Sequence, residues 1–191
     1  MRAYYRNPSN NSSDLLQPQD SGRPVSEERL RALGFKFYNV EGKTEDETLE
    51  SFRQLAKNIG FDGDEIRFDF RKPTISGIPG LPEMTSKDML EYFTTGSLFL
   101  FDGVAFYKTW NGFFDFKEPE TGEYVRMVFK ESEVLAFPKG VLFEVHASLE
   151  NAVYVKFKTP SPLDGGLYVK GEDLENQPVR KEYLNSISTV A

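Results

Sequence analysis

Apolar and polar residues follow two different periods along this chain, and the change between them falls near residue 95. In the first part the spacing is helical. Leu49, Phe52, Leu55, Ala56 and Ile59 recur three or four apart and predict one amphipathic helix over 45–59. Thr44 and Glu47 form a capping box at its start, and Gly60 closes it. Shorter helices are predicted on either side: 27–33, capped by Ser26 and stopped by Gly34, and 87–93, capped by Thr85 or Ser86. Pro73, Pro79 and Pro82 make 71–83 a stiff irregular loop.

From residue 97 the period falls to two. Segments 97–101, 104–110, 113–117, 123–129, 134–137, 141–146 and 152–158 are short and rich in β-branched and aromatic residues. Asn111-Gly112 is the strongest hairpin signal, and Thr121-Gly122 and Pro138-Lys139-Gly140 mark further turns. Seven closely spaced strands predict a mainly β sandwich or small barrel. Residues 7–23 read as a polar loop and 161–191 as a weakly patterned, peripheral tail to a single domain over 1–191. Asn10-Asn11-Ser12-Ser13 matches a glycosylation acceptor, but no apolar signal core precedes it.

Composition then removes function classes. With 30 Asp+Glu against 23 Lys+Arg, the net charge of −7 argues against a protein that tracks a nucleic-acid backbone. No run of about 18 apolar residues exists, so no membrane partner is expected and the expected location is cytoplasmic. Zero Cys excludes disulfides, thiolate nucleophiles and Cys-held metals. One His, His146, excludes a site built from several imidazoles. No Walker loop, dinucleotide fingerprint or nucleophile elbow is present. Asp62-Gly63-Asp64-Glu65 looks like the start of a calcium loop, but the closing position is Pro73. The 17 Phe point to an aromatic core or to a cavity lined by rings.

Several strings resemble the acireductone dioxygenase family of cupins. They are Met1-Arg2-Ala3-Tyr4-Tyr5, the segment 22–34 from Gly22-Arg23-Pro24 to Gly34, and 49–61. Gly112-Phe113-Phe114-Asp115-Phe116, Glu123-Tyr124-Val125-Arg126 and Phe137-Pro138-Lys139-Gly140-Val141 continue the likeness to about residue 158. The resemblance implies a cupin-type double-stranded β-helix, a jelly-roll barrel, with a few short N-terminal helices. Family members hold Fe or Ni through a His, a second His two residues on, a Glu four further, and a late His beyond the Pro-x-Gly turn. Carried onto this chain, those positions are Ser97, Phe99, Gly103 and Phe143. None forms a competent ligand set, so no metal and no cofactor are expected, and His146 is expected to face outward by strand parity.

Parity from residue 97 sends Ser97, Phe99, Phe101, Gly103, Ala105, Tyr107 and Thr109 inward, with Val141, Phe143 and Val145 on the return strand and Trp110 near the mouth. Small residues at 103 and 105 opposite large rings leave room for an apolar pocket and a small-molecule substrate. The lead expectation is a metal-free, cofactor-independent enzyme steering a cyclisation or isomerisation of a flat, unsaturated molecule. Tyr107 and Ser97 are the candidate catalytic hydrogen-bond donors, and the remaining inward residues and Trp110 bind substrate. The alternatives are a non-catalytic pseudoenzyme that binds or regulates, and a structural partner of an active homologue. Asp102, Lys108 and Glu144 are lesser acid–base candidates, expected on outer faces.

Overall fold

The computed structural model describes residues 1–7, 16–158 and 166–188. The chain opens with strands β1 (Arg2–Arg6) and β2 (Asp20–Pro24), then helix α1 (Glu27–Ala32). Strand β3 (Lys36–Asn39), helix α2 (Glu45–Asn58), strand β4 (Glu65–Asp69) and a small β5 (Thr74–Ile75)–β6 (Met84–Thr85) ladder lead to helix α3 (Ser86–Phe93). The strand-rich part holds β7 (Ser97–Phe99), β8 (Gly103–Thr109), β9 (Gly112–Lys117), β10 (Tyr124–Val128), β11 (Glu133–Phe137), β12 (Leu142–Ala147) and β13 (Ala152–Phe157). Strand β14 (Tyr168–Lys170) and helix α4 (Pro178–Ser188) follow.

Two antiparallel sheets form the barrel. One has seven strands in the order β14-β7-β12-β9-β10-β1-β2, and the other has five in the order β3-β11-β8-β13-β4. Each strand from β7 to β13 corresponds to a segment read from the period-two pattern, and the β-rich cupin architecture is as the resemblance implies. The main core lies between the sheets: Phe99, Phe114, Phe116 and Phe143 of the larger meet Ala105, Tyr107, Leu135 and Phe137 of the smaller. A second apolar cluster lies outside the five-stranded sheet, where Phe52 and Ala56 of α2 cover Val104, Phe106, Val134 and Ala136. That burial explains the helical stripe in the sequence.

The helix caps follow from local chemistry. The Thr44 hydroxyl accepts the Glu47 N–H at 3.2 Å, and the Glu47 carboxylate accepts the Lys43 N–H at 2.7 Å. Such a cap contributes about 0.5–2 kcal/mol.

The Asn111-Gly112 signal does not make a hairpin. Strand β8 pairs with β11 and β13, whereas β9 pairs with β10 and β12, so this dipeptide is a corner where the chain changes sheets. Gly112 serves close approach instead, because a Cβ there would lie 2.4 Å from the His146 carbonyl oxygen. Asn151 pins the corner: its Oδ1 accepts the Asn111 N–H at 2.6 Å and its Nδ2 donates to the Asn111 carbonyl at 3.0 Å. Thr121-Gly122 does close a hairpin, β9 to β10, with Gly122 at φ 69°.

Two segments read as irregular carry structure. The described part of 7–23 includes β2, and 71–83 holds β5. The glycosylation match at 10–13 lies outside the described residues. The stretch expected as a peripheral tail supplies β14, paired to β7, and α4, whose buried Tyr183 donates to the Leu33 carbonyl at 3.0 Å. Among the described residues no helix is long and apolar enough to cross a membrane.

Candidate functional site

Between the sheets a cavity of about 70 Å³ is walled by side chains from β4, α3, β7, β8, β9, β11, β12, β13 and β14. Phe68, Phe93, Phe99, Phe114, Phe137 and Phe143 supply most of the wall. The partly exposed Trp110, Val145 and Tyr168 mark where it reaches solvent. The Phe143 ring lies parallel to Phe114 at 5.7 Å, and Phe99 stacks on Phe137 at 4.1 Å. Tyr107 stacks on Phe129 at 4.2 Å and meets Trp110 edge-on at 4.8 Å.

Of the candidate residues, Phe99, Ala105, Tyr107, Trp110, Phe143 and Val145 line this cavity. Phe101, Val141 and Ser97 do not. Phe101 and Val141 pack in the surrounding core, and the Ser97 hydroxyl donates to the Thr95 carbonyl at 3.3 Å. Gly103 is turned against the Phe137 ring, and the Thr109 hydroxyl donates to the Glu150 carbonyl at 3.1 Å at the sheet end. Parity missed Phe68, Phe93, Phe137 and Val153, which arrive by long-range strand pairing and helix packing.

The family's metal positions fail a direct test. Phe99 and Phe143 fill the barrel centre with rings, Gly103 has no side chain, and the Ser97 hydroxyl is already engaged. These residues do not fit a metal.

A polar cluster occupies the other face of the seven-stranded sheet. Asp115 of β9 lies directly opposite Arg126 of β10 and Glu144 of β12 in the strand register. Arg126 grips Asp115 with two bonds, Nε to Oδ1 at 2.8 Å and Nη2 to Oδ2 at 2.7 Å, and both side chains are fully buried. Arg6 at the end of β1 bridges Asp115 Oδ2 at 2.9 Å and Glu144 Oε2 at 3.0 Å. His146 Nε2 lies 3.2 Å from Glu144 Oε2 and 3.4 Å from Asp115 Oδ2. Outward parity for His146 and Glu144 holds, yet His146 is buried rather than solvated. The cover is the segment around residue 17: Arg126 Nη1 donates to the Gln17 carbonyl at 2.6 Å and to the Pro18 carbonyl at 3.3 Å.

Burial opposes charge on all three titrating groups of the cluster, but the partners win. Hydrogen bonds from His146 and Arg126 hold Asp115 below the usual carboxylate range. His146, Tyr124 and Arg6 do the same for Glu144. The two carboxylates in turn raise His146 above an ordinary imidazole. Asp115, Glu144 and His146 place one ligand atom each within 4.8 Å of one another, a donor set with the chemistry to hold a cation. Two guanidiniums already neutralise the two carboxylates, so a metal would have to displace Arg6. Asp102 and Lys108 serve elsewhere: Asp102 pairs with Lys158 at 3.0 Å, and Lys108 with Glu45 at 2.6 Å.

Comparison with known proteins gives a consistent result. No family model matches the chain. It is 27% identical over 196 residues to acireductone dioxygenase 1 of Coprinopsis cinerea, covering all of both chains. It is 26% identical over 195 residues to the acireductone dioxygenase of Aspergillus fumigatus, covering 98% of this chain and 97% of that one. Among solved structures it resembles an acireductone dioxygenase from Bacillus anthracis with a cadmium ion in its active centre. That likeness has a TM-score of 0.51 at 13% identity and covers 77% of this chain and 92% of that one.

These findings overturn the expected metal-free cyclisation or isomerisation. The relatives are dioxygenases, a solved one holds a metal in its active centre, and this chain itself carries an Asp–Glu–His cluster. The small cavity also leaves little volume in which to fold a substrate, and Ser97 is not on its wall. Relatives that are enzymes equally give no support to the non-catalytic alternative.

Proposed function

This chain is a divergent acireductone dioxygenase-like cupin, and we propose that it is an enzyme whose small-molecule substrate sits in the ring-lined barrel cavity. The observation that carries this reading is the wall itself. Phe99, Phe143 and Phe114 lie nearly parallel, and Trp110 and Tyr168 stand at the opening. Parallel rings present flat faces for a planar, conjugated molecule, which stacks by dispersion and quadrupole contact. They also keep water away from it.

The cavity limits the substrate's size. An apolar cavity that accepts benzene is on the order of 150 Å³, about twice the space present here. A ligand of benzene size or larger is therefore taken only if a ring at the opening, Trp110 or Tyr168, gives way. The residues at 97, 99, 103 and 143 support no metal-held dioxygen chemistry in this cavity. The part of Phe99 and Phe143 is to bind, to orient and to exclude solvent.

Trp110 is the chain's one tryptophan and lines the cavity, so its emission reports on this site alone. Titration with compact neutral aromatic fragments should give a saturable change in that emission. Ala105→Leu, which fills the cavity from β8, should abolish it. A change that persists unaltered in Ala105→Leu, or no saturable change with any fragment, refutes the assignment.

A further inference from the structure

We propose that a second small-molecule site lies on the outer side of the five-stranded sheet, and that it takes a singly charged anion with a flat apolar body, an aryl carboxylate. It is separate from the barrel cavity and does not depend on the function proposed above.

A groove of about 460 Å³ opens there, bounded by β3, the end of α2, the turn after β11 and Lys158. Its floor is the fringe of the apolar cluster that packs under α2. Phe61 and Ala136 are buried in that cluster, and Tyr38 and Ile59 are half-buried against it. Pro138, also half-buried, continues the floor toward Gly34. The part of Tyr38, Ile59 and Pro138 left in water is apolar surface that a ligand gains by covering. Lys36 lies directly opposite Ala136 in the β3–β11 register, so its side chain rises from the same face as the floor.

The polar groups around that floor are out of balance. Asp102 is already engaged through both oxygens: Oδ2 accepts from Lys158 Nζ at 3.0 Å, and Oδ1 accepts the Lys139 N–H at 2.9 Å. It holds the Lys158 ammonium 5.3 Å from the centre of the Phe61 ring. Lys36 is exposed and has no ion pair among the described residues. Two ammoniums against one carboxylate leave the groove one positive charge, in a chain whose net charge is −7. A monoanion cancels that charge, and a cation is repelled by it. A carboxylate has two oxygens, which can accept from Lys36 and from the N–H groups that Lys158 has to spare. The flat body then lies over Phe61, Tyr38 and Pro138.

The test compares 2-naphthoate with 2-naphthamide, which keeps the shape without the charge, and with acetate, which keeps the charge without the body. A two-ring body is too large for the barrel cavity of about 70 Å³, since benzene itself takes a cavity on the order of 150 Å³. Amide shifts of ¹⁵N-labelled protein locate the site, and calorimetry gives affinity. Naphthoate should shift residues 36–38, 59–61 and 136–138. It should bind about 2- to 5-fold more tightly than naphthamide, the ratio that an exposed ion pair provides, and the ratio should shrink as salt is added. Acetate should show no saturable binding. Lys36→Gln should bring the ratio to about one and leave naphthamide binding unchanged. Lys158→Gln, which leaves Lys36 balanced by Asp102, should do the same. Equal binding of the two naphthalenes to the parent, a preference that survives both variants, shifts centred on β7 and β12, or no binding at all overturns the proposal. A ligand-free dimer in light scattering, with its concentration-dependent shifts at the same residues, would make the groove an interface between copies and overturn it too. The barrel site is read separately, through Trp110.

Discussion

The rings of Phe99 and Phe143 lie face to face, 3.8 Å between centroids and 7° from parallel. They come from β7 and β12, paired strands of the seven-stranded sheet. The stack stands at two of the positions that the resemblance assigns to the family's ligands, and what holds it is dispersion. Phe143 is 2% exposed. Phe143→Ala should therefore cost about 3–5 kcal/mol in urea unfolding. The variant should also gain affinity for benzene-sized apolar probes, seen as a larger rise in Tm on their addition than the parent shows. A loss under 1 kcal/mol would mean the stack is not part of the packed core.

Gly103 tests the same packing from the facing sheet. A Cβ at this position would fall 2.3 Å from the Phe137 ring, which is itself stacked on Phe99. Gly103→Ala should destabilise by about 1–3 kcal/mol, the cost of overpacking. Combined with Phe137→Leu, the penalty should be less than the sum of the two single changes, measured by a double-mutant cycle.

Arg126 and Asp115 form a fully buried, two-bonded ion pair. Arg126→Met leaves Asp115 with Arg6 and His146 alone and should cost about 3–5 kcal/mol. Arg126→Met with Asp115→Asn should recover part of that loss, since no unpaired charge then remains buried. Chemical unfolding of the single and double variants separates the two outcomes.

The same cluster sets a dependence on pH. The folded state raises His146 above its ordinary value of 6.5, so its contribution is fully present below pH 6.5 and is lost as pH rises through the higher folded value. Asp115 and Glu144 are held below their ordinary values of 3.8 and 4.5. Their contribution is present above those values and is lost as pH falls through the depressed ones. His146 is the one imidazole in the chain. His146→Gln should flatten the loss of stability above pH 6.5, measured by urea midpoint against pH. An unchanged slope there would show that His146 is not held charged.

Arg6 stands between the carboxylates as the cation they already have. Zinc should raise the parent's Tm by less than about 1 °C. Arg6→Gln uncovers Asp115, Glu144 and His146, and zinc at about 100 times its Kd should then contribute about 2.7 kcal/mol, or several degrees. A large zinc shift in the parent would mean that the metal displaces Arg6 without help.

Much of this architecture is legible in the sequence because burial imposes a period. All seven strands from β7 to β13 and helices α1 to α3 fall where spacing and caps put them. Strands β3 and β4 escape because each is short, lies at an edge of its sheet and shares its burial with a helix-rich region. Asn111-Gly112 misleads because a tight corner between sheets uses the same small residues as a hairpin. Parity placed Phe99, Ala105 and Tyr107 on the cavity wall, but local spacing cannot know that Phe68 and Phe93 close it from β4 and α3. The Asp115 cluster was hidden for a different reason. Alternation assigns those residues outward, and only the chain around Gln17 and Pro18, together with Arg6, turns outward into buried.

Strand β14 adds itself to the free edge of β7 and brings Tyr168 to the chamber's rim. A protease cut after residue 158 that released the downstream piece would thus do more than trim a loose end. It would bare the hydrogen-bonding edge of β7, an invitation to aggregate, and leave the aromatic chamber roofless on that side.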